Sequence, residues 1–285
     1  MPHPVIDPAD TRSVDASWTR AKAEAINRDG IAGLPQAFPR QWAEDLAADF
    51  TGAFAHALSY PGGTIGRGPK RHYFAVHPEQ LSRFVDLVTL PAFVAICAEV
   101  LGADYRIIEV GFDVPLPGAV DQPWHRDFRM SKETRDHRRL TSLVLNVTTV
   151  DVSPDMGPFE IAPGTQWDPG DSFAHGMFPE AEEKAHYASL GQQRRPKQGD
   201  MSLRSGLTLH RGTANRSDRP RPVLTVGIVT PEVAESAETD VHSITVTRHY
   251  FERLPELVRR HLRCRVVDEL SPIVQAHDIE GLVMG

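Results

Sequence analysis

Apolar positions in the first hundred residues recur mostly at helical spacing. The stretch "SVDASWTRAKAEAINRDG" (13–30) opens on Ser and Asp capping candidates, continues in good helix formers and closes on Gly30, so it predicts a helix with a glycine stop. "PRQWAEDLAADFTGAFAHAL" (39–58) sets Trp42, Leu46, Phe50 and Phe54 at near-helical spacing. "HPEQLSRFVDLVTLPAFVAICAEVLG" (77–102) reads as two short helices broken at Pro91. From residue 104 the period shortens. "DYRIIEVGFDVPLP", "RLTSLVLNVTTVDV", "GPFEIAPGTQW", "GDMSLRSGLTLH" and "RPVLTVGIVT" are β-branched runs bounded by Gly, Pro, Asp and Asn. Helices do not alternate with them, which favours an antiparallel sandwich or barrel over a parallel α/β sheet. A last helix is predicted over "LPELVRRHLRCR" (254–265).

Length and composition add bounds to this outline. The 285 residues suffice for one large domain or two small ones, and no internal repeat or low-complexity linker divides them. The expectation is one domain over 1–285, with a mostly helical flank (1–103), a β core (104–230) and a C-terminal extension (231–285). A net charge of −7 argues against a duplex-wide nucleic-acid surface. The segment "HRDFRMSKETRDHRRL" is locally basic, either as a solvated loop or as an anion-attracting lid. Cys97 and Cys264 are the only cysteines and make no disulfide framework or thiolate metal site. The N-terminus has no basic region followed by an apolar run, and no run of eighteen apolar residues occurs, so a cytoplasmic protein without a membrane span is expected.

Most chemical motifs are missing. "GGTIGRGPK" lacks the Ser or Thr of a phosphate loop and has Pro69 before Lys70, so it reads as a turn-rich loop. No H-E-x-x-H, G-x-S-x-G or deaminase cysteine pair is found. What remains is "QPWHRDF" (122–128). In a strand, His125 and Asp127 would share a face, and an imidazole with a carboxylate suits Fe, Mn or Zn. Trp124 and Phe128 would point the other way, into the core. A third ligand must come from afar. His210 ends "LTLH", and the polar, turn-forming "RGTANRSDRP" reads as a hairpin connection that would set His210 beside Arg221 on adjacent strands. A metal ligand next to a planar, always-charged guanidinium suits a molecule that chelates at one end and carries a carboxylate at the other. Asn146, inside the apolar run "SLVLNVTTV", either faces a ligand or satisfies a neighbouring backbone group.

Together, "WHRDF", "GPFEIAPGTQW" and the His, Asn-x-Ser and Arg of "HRGTANRSDRPR" resemble, in order and spacing, the phytanoyl-CoA dioxygenase family of Fe(II)/2-oxoglutarate oxygenases. The resemblance implies a double-stranded β-helix, or jelly roll, flanked by N-terminal helices. It implies Fe(II) held by His125, Asp127 and His210, and the distal carboxylate of 2-oxoglutarate held by Arg221. It also implies co-substrate contacts from Asn146 and Lys70. With O₂, such an enzyme hydroxylates a small organic substrate and releases succinate and CO₂, as a monomer or homodimer. One departure is visible: Gln166 stands where the family's PGTH element has His. Two other readings stay open, a non-catalytic jelly-roll binding protein and a redox-neutral cupin-like metal enzyme, neither of which needs 2-oxoglutarate turnover.

Overall fold

A computed structural model describes residues 14–235 and 244–275; the first thirteen residues of the N-terminal stretch read for a leader, and His242, a histidine that the sequence gives no partner spacing, lie outside the described residues. The strands are β1 (Ile31–Leu34), β2 (Ile65–Gly66), β3 (Arg71–Ala75), β4 (Arg106–Pro115), β5 (Ser142–Thr148), β6 (Phe159–Ile161), β7 (Gln192–Arg194), β8 (Met201–Ser205), β9 (His210–Gly212), β10 (Val223–Val229), β11 (Ile244–Thr247) and β12 (Cys264–Val267). A seven-stranded antiparallel sheet runs in the order β1-β8-β5-β10-β4-β3-β2. A three-stranded sheet, β7-β6-β9, forms the other wall, and β11 and β12 pair in parallel to one side. This is a jelly roll with flanking helices, as expected from the sequence.

Period-two alternation explains why the interior between the sheets is polar. On β4, Val110, Phe112 and Val114 face one way and Glu109 and Asp113 the other; on β5, Leu143, Leu145 and Val147 oppose Ser142, Val144 and Asn146. On β10, Leu224, Val226 and Ile228 oppose Val223, Thr225 and Gly227. The apolar set packs outward against α1 (Ala16–Asp29), α2 (Arg40–Leu58), α3 (Phe84–Val88) and α4 (Pro91–Leu101), with Ile26, Trp42, Leu46, Phe84 and Phe93 in the shared core. The polar set faces the second sheet. The main hydrophobic core therefore lies outside the barrel, and the barrel interior is left for a site.

Three differences from the sequence reading have physical causes. The region 31–75 is not only helical: β1, β2 and β3 extend both edges of the large sheet, too short for periodicity to reveal. The helix expected over 254–265 is shorter, with one short helix (Arg248–Arg253) before Leu254 and another (Glu256–His261) after it; Cys264 instead starts β12, paired to Ile244. The His210–Arg221 connection is no hairpin. β9 belongs to the small sheet while β10 lies between β4 and β5 in the large one. Asn215 shapes the crossing, donating from Nδ2 to the carbonyls of Pro115 (3.0 Å) and Arg219 (2.8 Å) while its Oδ1 accepts from Ser217. Among the described residues, no helix is long and apolar enough to cross a membrane.

Candidate metal centre

α1 ends where the metal residues begin. Asp15 caps its N-terminus by accepting from the Trp18 amide, and Gly30 closes it at φ +79°, a left-handed turn open to glycine. A Cβ on Gly30 would lie 2.2 Å from Thr208 Oγ1, so the helix end abuts the β8–β9 turn directly. The Gly30 carbonyl accepts from the Ser205 amide (2.9 Å) and Thr208 Oγ1 (3.2 Å). Gln166 adds a second tie, donating from Nε2 to the Asn27 carbonyl at 2.7 Å, as does Trp167 Nε1 at 2.9 Å. Gln166 thus anchors the helix end, and Trp167 packs on the outer core rather than lining the interior.

His125 and His210 form an isolated antiparallel bridge, each amide donating to the other's carbonyl at 2.9 and 2.8 Å. Their ring centroids are 4.4 Å apart. His125 Nδ1 lies 2.9 Å from the Pro123 carbonyl, and His210 Nδ1 lies 2.9 Å from that of Thr208. A carbonyl only accepts, so both Nδ1 atoms carry the proton and both Nε2 lone pairs are free to ligate. Asp127 is held by its amide, which donates to the Gly206 carbonyl at 2.9 Å. Its Oδ1 is 3.5 Å from His210 Nε2, and ligand atoms of His125, Asp127 and His210 all lie within 4.8 Å of one another. Two imidazoles and one carboxylate on one face fit a divalent metal of the Fe(II) kind.

Alternation is kept at 125–127 and lost after it. Arg126 points out of the site, buried, and donates to the carbonyls of Gly176 (2.9 Å), Asp168 (3.0 Å) and Pro169 (3.1 Å). Trp124 packs in a small core with Phe173, Tyr187 and Leu209. Phe128, expected to pack away from the site, lines the cavity instead, because the chain bends after Asp127 and the Phe128 amide shares the Gly206 carbonyl.

Electrostatics favour ligation. Burial, with the nearby His210 adding to it, pushes the His125 pKa down to about 3, so its imidazole is neutral. Burial alone would raise the Asp127 carboxyl, but the Arg204 guanidinium beside it, with the two imidazoles close by, holds it well below the usual carboxylate range. Arg204, on β8, is buried and forms an ion pair with Asp127 Oδ2, with its guanidinium over the Phe159 ring. Sequence reasoning missed Arg204. The alternation of "MSLRS" was the signal, since Ser202 and Arg204 oppose Met201 and Leu203.

A cavity of about 830 Å³ extends from these residues between the sheets. Arg221 and Asn146 both line it; Arg221 stands two residues ahead of β10 in the large sheet, whereas His210 opens β9 in the small one. Arg221 is 3% exposed, and burial lowers its pKa to about 10 against the opposing pull of Asp113. Its Nη2 is 3.8 Å from Asp113 Oδ2, which also accepts from buried Arg71 at 2.8 Å. Arg221 Nε and Asn146 Oδ1 are buried with no hydrogen-bond partner among the described residues, which leaves both able to bond a ligand. Lys70 is not brought here. It is exposed in a turn at φ +54°, outside the cavity lining, and the neighbouring Arg71 takes the buried place. The basic segment forms α5 (Lys132–His137); Lys132 pairs with Asp136, Arg135 with Asp171 and Arg139 with Glu133, so it carries little free cation.

Residues 26–223 match the family described as phytanoyl-CoA dioxygenase (PhyH). Among solved structures, the epimerase SnoN in complex with Fe3+, alpha ketoglutarate and nogalamycin RO is 20% identical with a TM-score of 0.60, over 76% of this chain and 85% of that one. EctD from S. alaskensis with 2-oxoglutarate and 5-hydroxyectoine is 18% identical with a TM-score of 0.60, over 77% of each chain. The non-heme alpha ketoglutarate dependent carbocyclase SnoK is 19% identical with a TM-score of 0.58, over 74% and 83%. At such identities the likeness carries the fold.

Proposed function

The chain belongs to the phytanoyl-CoA dioxygenase family, and from that premise we propose that it is an Fe(II)/2-oxoglutarate-dependent dioxygenase hydroxylating a small organic metabolite in the cytoplasm. The observation that carries the reading is the His125, Asp127 and His210 cluster, with both histidines fixed to present Nε2. In this reading those three residues would hold the iron beside the cavity they line. Arg221 takes the distal carboxylate of 2-oxoglutarate, and Asn146 contacts the same molecule from β5. Arg204 steadies the Asp127 oxygen that faces away from His210. Bound iron with 2-oxoglutarate and O₂ supplies the oxidation, with release of succinate and CO₂.

Protein side chains have two further duties here. Phe128, Phe159 and Phe178 give the cavity apolar wall near the metal residues, which limits water there. Glu109, accepting from the Tyr73 hydroxyl, is a polar group on the opposite strand that can orient a hydroxyl or amine of the substrate. The test is succinate release from 2-oxoglutarate under air, screened for stimulation by a metabolite library. Stimulated release with a product heavier by one oxygen supports hydroxylation. Metal binding without release would support the non-catalytic or redox-neutral reading instead.

A further inference from the structure

The inner face of the large sheet continues past the metal residues into a second space. Along β5, Ser142 and Val144 line the first cavity, Thr148 lines a second of about 370 Å³, and Asn146 between them lines both. The same progression occurs on β10, where Thr225 and Gly227 belong to the first and Val223 to both, and on β8, where Arg204 belongs to the first and Ser202 to the second. Ser142 to Thr148 covers about 20 Å of strand, so the two spaces occupy opposite ends of the barrel interior. Asn146, Phe159, Arg221 and Val223 divide them. Arg221 Nε and Asn146 Oδ1, both unpartnered among the described residues, belong to this partition.

The far rim favours anions. Arg194 and Arg195 stand on it, and the exposed Arg195 side chain makes no hydrogen bond or ion pair among the described residues. Its acids are already engaged: Asp29 pairs with Arg28 at 2.6 Å, and Asp200 accepts from the amides of Gln36 (2.8 Å) and Lys197 (2.7 Å). We propose that the second cavity is a separate access route to Arg221 for the dicarboxylate co-substrate, and the way out for succinate. The proposal rests on the reading of Arg221 as the co-substrate arginine. A substrate seated over the metal fills the first cavity, whereas a route behind Arg221 leaves exchange of the dicarboxylate independent of it.

Gly33 offers a clean probe. It lines the second cavity opposite Ser202, and a Cβ built on it meets nothing within 4 Å. Gly33→Phe therefore adds a plug without a clash at its base. The Fe(II) protein is mixed with 2-oxoglutarate under nitrogen in a stopped-flow instrument, and the visible absorption of the complex is followed; Kd comes from equilibrium titration. A plugged route slows association and dissociation alike, each by about tenfold, and leaves Kd within about twofold, because a doorway is not part of the bound state. Arg194→Ser with Arg195→Ser lowers the low-salt association rate by about tenfold and flattens its salt dependence. This pair carries the test should Gly33→Phe fold poorly. Unchanged association in the variants overturns the proposal, as does a raised Kd with unchanged association, which would make the second cavity part of the binding site. Failure of the unaltered protein to bind 2-oxoglutarate refutes the reading of Arg221 instead.

Discussion

Asp113→Ala tests how the cationic end of the cavity is balanced. Asp113 Oδ2 accepts from Arg71 Nη1 at 2.8 Å and stands 3.8 Å from Arg221 Nη2; the two arginine side chains are 1% and 4% exposed, Asp113 24%. Without the carboxylate, Arg71 keeps a bond to the Thr213 carbonyl at 3.2 Å, and both guanidinium charges stay buried. Breaking a fully buried pair costs about 3–5 kcal/mol, and the partial exposure of Asp113 reduces this to about 2 kcal/mol. At about 2–4 °C per kcal/mol for a chain of this size, the melting temperature should fall by about 4–8 °C. The second half of the prediction has the opposite sign. Arg221 is too far from Asp113 to be oriented by a hydrogen bond, so losing Asp113 removes a competing anion more than it removes positioning. Saturating 2-oxoglutarate, with Fe(II) under nitrogen, should then raise the melting temperature of Asp113→Ala more than that of the unaltered protein. Asp113→Asn should behave like Asp113→Ala, since charge rather than shape is at issue. The reasoning fails if Asp113→Ala melts normally, or if 2-oxoglutarate stabilises it no more than it stabilises the unaltered protein.

Other outcomes follow from the same geometry. Arg221→Leu should weaken 2-oxoglutarate binding by about 2–5 kcal/mol with metal binding intact, and Arg221→Lys should rescue it only in part because the planar fork is lost; titration calorimetry checks both. His125, near 3 when folded and about 6.5 when unfolded, lets the unfolded chain take up the proton first as pH falls. Stability of the metal-free protein is therefore full above pH 6.5 and declines towards pH 3, by at most about 1.4 kcal/mol per pH unit from this group, and His125→Phe should flatten the urea midpoint across that window. Arg126→Ala strands the carbonyls of Asp168, Pro169 and Gly176, which should cost about 3 kcal/mol and speed proteolysis within 168–177, mapped by mass spectrometry.

Much of this was legible in the sequence because the signals were local. Capping at Asp15 and Gly30 bounded α1, and the alternation of "IIEVGFDV" and "SLVLNV" gave strands with one apolar and one polar face. The three proposed metal residues could be named because His125 and Asp127 are two residues apart and His210 closes an apolar run. Their assembly rests on contacts no window contains: the backbone bridge between His125 and His210, separated by 85 positions, and the carbonyl of Gly206 under Asp127.

The hairpin between His210 and Arg221 was inferred from the right residues and the wrong interaction. Turn-forming composition says that a segment bends, not which sheet its ends join; here the side chain of Asn215 bonds to Pro115 at the end of β4 and carries the chain across the barrel. That crossing matters for the chemistry. A hairpin would have fixed His210 and Arg221 side by side on one surface. The crossing places them on opposite walls, so a ligand held by both must span the interior. It also leaves Arg221 in the partition between the two cavities, lining the second as well as the one that holds His125, Asp127 and His210. Lys70 shows the converse error. The family resemblance implied a co-substrate contact for it, but the turn at φ +54° sends it to solvent while Arg71, one residue on, is drawn inward to Asp113. Adjacent residues at a strand start face opposite sides, so of the two cations only one could enter the barrel.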